Sequence, residues 1–245
     1  MDRVFGGLDS GPNLEQATPS QDAGDSQGGR LGARPSEPSA NPLGPGLHQL
    51  GLETGRDGLL YVPAGYRPDR PAPLVVMLHG AGGDARGGID PLLALADEAG
   101  VLLLAVDSRR ATWDVILGDF GPDVQFIDRA LRYVFERYRV DPDRIAVEGF
   151  SDGASYALSL GLTNGDLFDS ILAFSPGFLA PGDLTGSPEV FISHGVHDEV
   201  LPISRTSRRI VPSLERRYDV QYEEFDGPHV VPADMAQRAL RRFLS

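Results

Sequence analysis

The chain has 245 residues, 41% of them hydrophobic, enough for one good-sized core. Arginine supplies all 22 basic side chains, and neither lysine nor cysteine occurs. This excludes Schiff-base lysines, Ser-Lys dyads, phosphate-loop lysines, cysteine nucleophiles, thiolate metal sites and disulfides. Thirty-five acidic residues leave a net charge of -13, which opposes association with nucleic acid or an anionic membrane and favours small neutral or modestly polar partners.

Residues 1–46 hold nine Gly, six Pro and five Ser with few large apolar side chains, so they are expected to form a flexible tail ahead of a single domain at 47–245. Nothing near the N-terminus reads as an export signal, and apolar runs such as VLLLAV (101–106) are too short to cross a bilayer. A cytoplasmic location is the expectation. Short apolar runs predict strands at 59–62, 73–79, 101–107, 144–150, 170–175, 189–194 and 220–225. Between them lie amphipathic stretches. Val124, Ile127, Leu131, Val134 and Tyr138, opened by Pro122, form one helical face, and residues 152–163 form a second helix stopped at Asn164-Gly165. An Arg-rich helix near 204–218 and a last one from Pro232 follow. Strands alternating with helices define an α/β fold with a mainly parallel sheet, and no segment is long enough for a large cap domain.

The chemistry concentrates at Gly149-Phe150-Ser151-Asp152-Gly153, where an apolar strand runs directly into a helix of small residues. A serine on such a turn sits in a strained conformation that small neighbours two before and two after permit. An unactivated hydroxyl is a poor nucleophile, so Ser151 needs a base and a carboxylate to orient that base. In the nucleophile-elbow arrangement the order along the chain is serine, acid, histidine. His229 and Asp198 meet that order; Asp183, in a Pro/Gly-rich loop, and Glu199, beside Asp198, are weaker acids for the role. Backbone N–H groups of Asp152 and of Ala81, with Gly82 as an alternative, are expected to form the oxyanion hole. His79, at the end of its strand, is expected to brace that loop.

Trp113, in the long segment 108–121, and Phe150, inside the elbow, are the expected substrate-binding residues, with ordinary loop packing the alternative for Trp113. His194 and His197 fall at a strand-to-loop transition, which would not hold both imidazoles on one face as a helix does at i, i+4, and no other His/Asp cluster completes a site, so no metal or organic cofactor is expected. Arg205, Arg208, Arg209, Arg216 and Arg217 read as a solvated, ion-paired face.

Together YVPAGY (61–66), LHGAGGD (78–84), DVQFIDRALRYVFERYRVDPDRIAVEGFSDGA (123–154), SHGVHDEVLPI (193–203) and EFDGPHVVP (224–232) resemble the α/β-hydrolase superfamily. Within it they are similar to the phospholipase/carboxylesterase group, which includes acyl-protein thioesterases and relatives of polyhydroxybutyrate depolymerases. The resemblance implies cofactor-free serine-ester hydrolysis through an acyl-enzyme, with small soluble esters as substrates and thioesters as the alternative. Related polyhydroxybutyrate depolymerases commonly carry cysteine after the first His-Gly, where this chain has Ala81; this weighs against a polymer substrate.

Overall fold

The computed structural model describes residues 28–245. Its eight strands are β1 (Gly46–Gln49), β2 (Gly58–Val62), β3 (Ala72–Leu78), β4 (Leu102–Val106), β5 (Val140–Phe150), β6 (Ser170–Phe174), β7 (Glu189–Gly195) and β8 (Val220–Phe225). They form one sheet in the order β1-β2-β4-β3-β5-β6-β7-β8. β1 and β2 pair antiparallel, β2 pairs antiparallel with β4, and every later pairing is parallel. All residues of β4 and β6 are buried, as strands covered on both faces require, which is why they read as unbroken apolar runs.

Helices α1 (Ala85–Leu93), α2 (Ala96–Ala99) and α7 (Ala233–Phe243) cover one face of the sheet, packing Ile89, Leu92, Ala239 and Phe243 on Val75, Met77 and Leu103. On the other face α4 (Pro122–Phe135), α5 (Asp152–Thr163) and α6 (Ser207–Leu214) pack on Leu74, Val76, Leu104 and Val147. The short α3 (Asp114–Leu117) lies in the segment after β4. α1 has almost no helical signature, with Gly87, Gly88 and Pro91 inside it. Its start is fixed by Asp84, whose side chain accepts the Gly87 N–H at 3.0 Å.

The expected tail boundary at residue 46 is corrected by the structure; residues 1–27 lie outside the described residues. From Gly28 the chain lies on the domain. Leu31 and Ala33 are 2% and 1% exposed. The Leu31 N–H donates to Asn164 Oδ1 at 2.8 Å, and the Gly32 and Ala33 N–H groups both donate to Asp128 Oδ1, at 2.7 and 2.6 Å. Arg30 holds Asp166 at 2.7 Å, keeping that carboxyl far below its usual range. β1 then joins the sheet edge. Composition argued for disorder here because the compensating partners come from α4 and from the end of α5, roughly a hundred residues away in sequence.

Candidate active site

β5 ends and α5 begins at Ser151, which has φ 59° and ψ -119°. A non-glycine residue in this region is strained. Neighbouring bonds hold it there: its N–H donates to Phe174 O on β6 at 2.9 Å, and its carbonyl accepts the Ser155 N–H at 3.1 Å. The flanking glycines are required by contact. A Cβ on Gly149 would run into the carbonyl of Gly153, and one on Gly153 into the carbonyls of Leu78 and His79. The spacing of the motif is thus a packing condition between the elbow and the end of β3.

The loop after β8 brings His229 to Ser151, with Nε2 2.9 Å from Oγ. On its other side Nδ1 lies 2.5 Å from Asp198 Oδ2. Asp198 Oδ1 accepts the backbone N–H groups of Val200 and Leu201 at 2.9 and 2.7 Å. Burial raises the Asp198 pKa, but the Leu201 N–H and His229 outweigh it and hold the carboxyl below its usual range. With an anionic acceptor at Nδ1, that nitrogen carries the proton and Nε2 is free to accept from Ser151 Oγ.

Beyond β3 the loop His79–Gly83 is tied down on several sides. His79 donates Nδ1–H to Gly80 O at 2.7 Å, while its Nε2 accepts the Ser108 N–H at 3.0 Å and Arg56 Nη2–H at 3.2 Å. Burial lowers the His79 pKa, so the ring is neutral and acts as a brace. Gly82 is corrected as an oxyanion donor: its N–H is spent on Ala111 O at 2.6 Å. Among the described residues no acceptor pairs with the Ala81 N–H, which leaves Ala81 available with Asp152, whose N–H opens α5 and needs no intrahelical partner. The Asp152 carboxylate is anchored by Thr112 Oγ1–H at 2.6 Å.

Trp113 is corrected as a pocket residue. Trp113 is fully buried; its Nε1–H donates to His79 O at 2.8 Å, and its ring stacks between His79 and Tyr156, each 4.9 Å away. Phe120 packs edge-on to Tyr156 and fills the space that a Cβ at Gly29 would need, so an aromatic column runs from the N-terminal segment to the oxyanion loop. Phe150 is half-buried on the face covered by α1 and α7, and its ring lies 4.6 Å from that of His229.

A further pattern went unread in the sequence: Ser155, Ser159 and Thr163 recur every fourth residue on α5. Each hydroxyl donates to the carbonyl four residues earlier and accepts an N–H of the β6–β7 connection, from Gly177, Ala180 and Gly182 at 2.9, 3.0 and 2.9 Å. The connection is thereby fastened along α5, and no helix forms in it. The two histidines before Asp198 part company: His194 is fully buried against α6, while His197 is exposed and pairs with Asp226 at 2.8 Å. Among the described residues no group of three or more potential ligands could hold a metal ion, and no helix is long and apolar enough to cross a membrane. In the Arg-rich stretch, Arg208 pairs with Glu224 at 2.7 Å.

The sheet order, the strained serine at the end of β5 and the loops carrying Asp198 and His229 are those of the α/β-hydrolase fold. Within it, the family model described as Phospholipase/Carboxylesterase matches residues 123–241. Feruloyl esterase C of Emericella nidulans is 28% identical over 166 residues, 64% of this chain and 59% of that protein. The chain therefore spans about three fifths of the length of the curated relatives it matches. Among solved structures, a thermophilic esterase of Thermogutta terrifontis superimposes with TM-score 0.63 at 20% identity, covering 89% of this chain and 95% of that one. The Bacillus cereus carboxylesterase gives TM-score 0.58 at 20% identity, covering 78% and 94%. At that identity these structures support the shared fold.

Proposed function

We propose that the protein hydrolyses carboxylic esters through a covalent acyl-enzyme, with Ser151 as nucleophile, His229 as base and then acid, and Asp198 as the group that orients His229. The observation that carries this reading is the continuous contact Ser151 Oγ–His229 Nε2–Asp198 Oδ2, at 2.9 and 2.5 Å, on a serine held at positive φ. In the first half-reaction Oγ attacks the carbonyl carbon and its proton passes to Nε2. The oxyanion forms against the N–H groups of Ala81 and Asp152, and the alcohol departs with the proton from Nε2. Water, activated by the same imidazole, then releases the acid.

Small soluble esters are the proposed substrates. The β6–β7 connection is fastened along α5 and contains no helix that could form a cap over the site. Similarity to proteins named feruloyl esterase C supports including feruloyl esters in the proposed class alongside simple acyl esters. A strongly acidic chain favours oxygen esters over acyl-CoA thioesters, because like charge repels the CoA phosphates. The test is a panel of p-nitrophenyl esters of graded chain length, methyl ferulate and an acyl-CoA, assayed with wild type and Ser151→Ala. Ester turnover lost in Ser151→Ala supports the reading, and turnover retained in that variant refutes it.

A further inference from the structure

His194 lies at the end of β7, and its side chain is completely buried. Its Nε2 is 2.9 Å from Leu201 O and 3.1 Å from Asp198 Oδ2, and its Nδ1 is 2.7 Å from Ser207 Oγ at the start of α6. Both neighbours of Nε2 are pure acceptors, so this nitrogen carries the proton, and Nδ1 accepts the Ser207 hydroxyl. The proton is directed to Leu201 O, with Asp198 Oδ2 beside it. The same Oδ2 receives the Nδ1–H of His229. Leu201 closes the ring, since its own N–H donates to Asp198 Oδ1 and its carbonyl is held by His194.

We infer that His194 is a positioning residue for the proposed Ser151–His229–Asp198 reaction, fixing the rotation of the Asp198 carboxylate and drawing charge from the oxygen that serves His229. The inference rests on that reading of the triad and extends it. A carboxylate held only by the Val200 and Leu201 N–H groups could swing about its anchored Oδ1; a second imidazole at Oδ2 removes that freedom. The partial positive charge of His194 Nε2–H also tempers the attraction of Asp198 for the imidazolium that forms at His229 during the reaction. Other charged groups packed around His194 are Glu224, paired across the register on β8, and Arg208 of α6, which Glu224 binds at 2.7 Å. Exposed His197 and Asp226 pair with each other on the adjoining loops. None of these supplies an N–H to Asp198 Oδ2.

The experiment is the pH profile of kcat/KM on a p-nitrophenyl ester for wild type, His194→Phe and His194→Gln, with the downfield proton resonance of the His229–Asp198 hydrogen bond followed alongside. His194→Phe keeps the volume and loses the N–H. Its acidic limb is expected to move to higher pH by about half a unit to one unit. Its plateau is expected to fall about tenfold through kcat, since the N–H accepted by Leu201 O and flanking Asp198 Oδ2 is lost, and its downfield resonance to shift. His194→Gln, which keeps an N–H at similar reach, is expected to recover most of both. An unmoved limb in folded His194→Phe, or a glutamine variant as impaired as the phenylalanine one, overturns the inference. Should His194→Phe not fold, Ser207→Ala, which strips the donor from Nδ1, is expected to move the limb the same way by a smaller amount; an unmoved limb there overturns it. Ser151→Ala run in parallel separates the failures. Activity retained in Ser151→Ala removes the triad and this role with it, whereas an inactive Ser151→Ala with an unmoved His194→Phe limb removes only the role of His194.

Discussion

Replacing Asp198 with asparagine is expected to cost far more than one weakened hydrogen bond, because the structure dictates how the new amide must sit. Two backbone N–H groups, from Val200 and Leu201, point at Oδ1 at 2.9 and 2.7 Å and demand an acceptor there. The amide oxygen takes that place, so the NH2 group must occupy the Oδ2 position, facing His229 Nδ1 and His194 Nε2. Facing a donor, His229 Nδ1 becomes an acceptor and its proton moves to Nε2, the nitrogen that has to accept from Ser151 Oγ. The base is then in the wrong tautomer, for which a loss on the order of 10⁴ in kcat, about 5 kcal/mol, is appropriate. The opposite flip offers no relief, because it sets the NH2 group donor to donor against the Val200 and Leu201 N–H groups. The assay is kcat and KM for a p-nitrophenyl ester near pH 8, with thermal unfolding to verify the fold; KM is expected to stay within a fewfold of wild type. Turnover within tenfold of wild type in folded Asp198→Asn would refute the argument and point to another acid.

Three other perturbations test separate parts of the structure. Trp113→Phe keeps the stack on Tyr156 but leaves His79 O without its indole donor; a destabilisation of about 1–3 kcal/mol is expected, with kcat reduced more than KM is raised, and an unchanged kcat would detach Trp113 from the oxyanion loop. Gly153→Ala is expected to abolish soluble folded protein or shift the elbow, since its Cβ meets the carbonyl of Leu78, while Gly82→Ala, in open space at φ 71°, is expected to cost only about 1 kcal/mol of backbone strain; equal stability of the two variants by thermal unfolding would refute the packing account of the motif. Glu148 is wholly buried with no partner for either carboxyl oxygen among the described residues, and burial pushes its pKa well up. Because the folded state keeps the proton while the unfolded chain ionises above about pH 4.3, each further pH unit costs the wild type up to about 1.4 kcal/mol until the folded pKa is reached. Glu148→Met is therefore expected to raise the melting temperature by an amount that grows from pH 5 to pH 8, and a gain independent of pH would contradict a protonated Glu148.

Much of the sheet was legible because its central strands are buried on both faces, so β3, β4, β6 and β7 carry the short apolar runs LVVML, LLLAV, ILAF and VFI. The elbow was legible for a steric reason: only glycine passes at 149 and 153. The sequence order of Ser151, Asp198 and His229 identified side chains that the structure brings within hydrogen-bonding distance. What was not legible depends on partners distant in sequence. Leu31 and Ala33 are ordinary residues in a polar stretch until Asn164 and Asp128 satisfy the backbone around them. Trp113 reads equally as a pocket wall or a buttress, and burial between His79 and Tyr156 decides for the buttress. Gly82 stood as the alternative to Ala81 as an oxyanion donor until the carbonyl of Ala111 was placed against its N–H. The hydroxyl ladder of Ser155, Ser159 and Thr163 did carry a sequence signal, a four-residue period of small hydroxyls on a buried helix, and that spacing alone could have indicated a segment fastened along α5.

The account turns on Ser151 being an activated nucleophile. Intact-mass analysis after incubation with a fluorophosphonate, followed by peptide mapping, reads this directly. The account requires one adduct per chain, located on Ser151, absent in Ser151→Ala and formed far more slowly in His229→Ala. No adduct on folded wild-type protein, or an adduct on another residue that persists in Ser151→Ala, would contradict it.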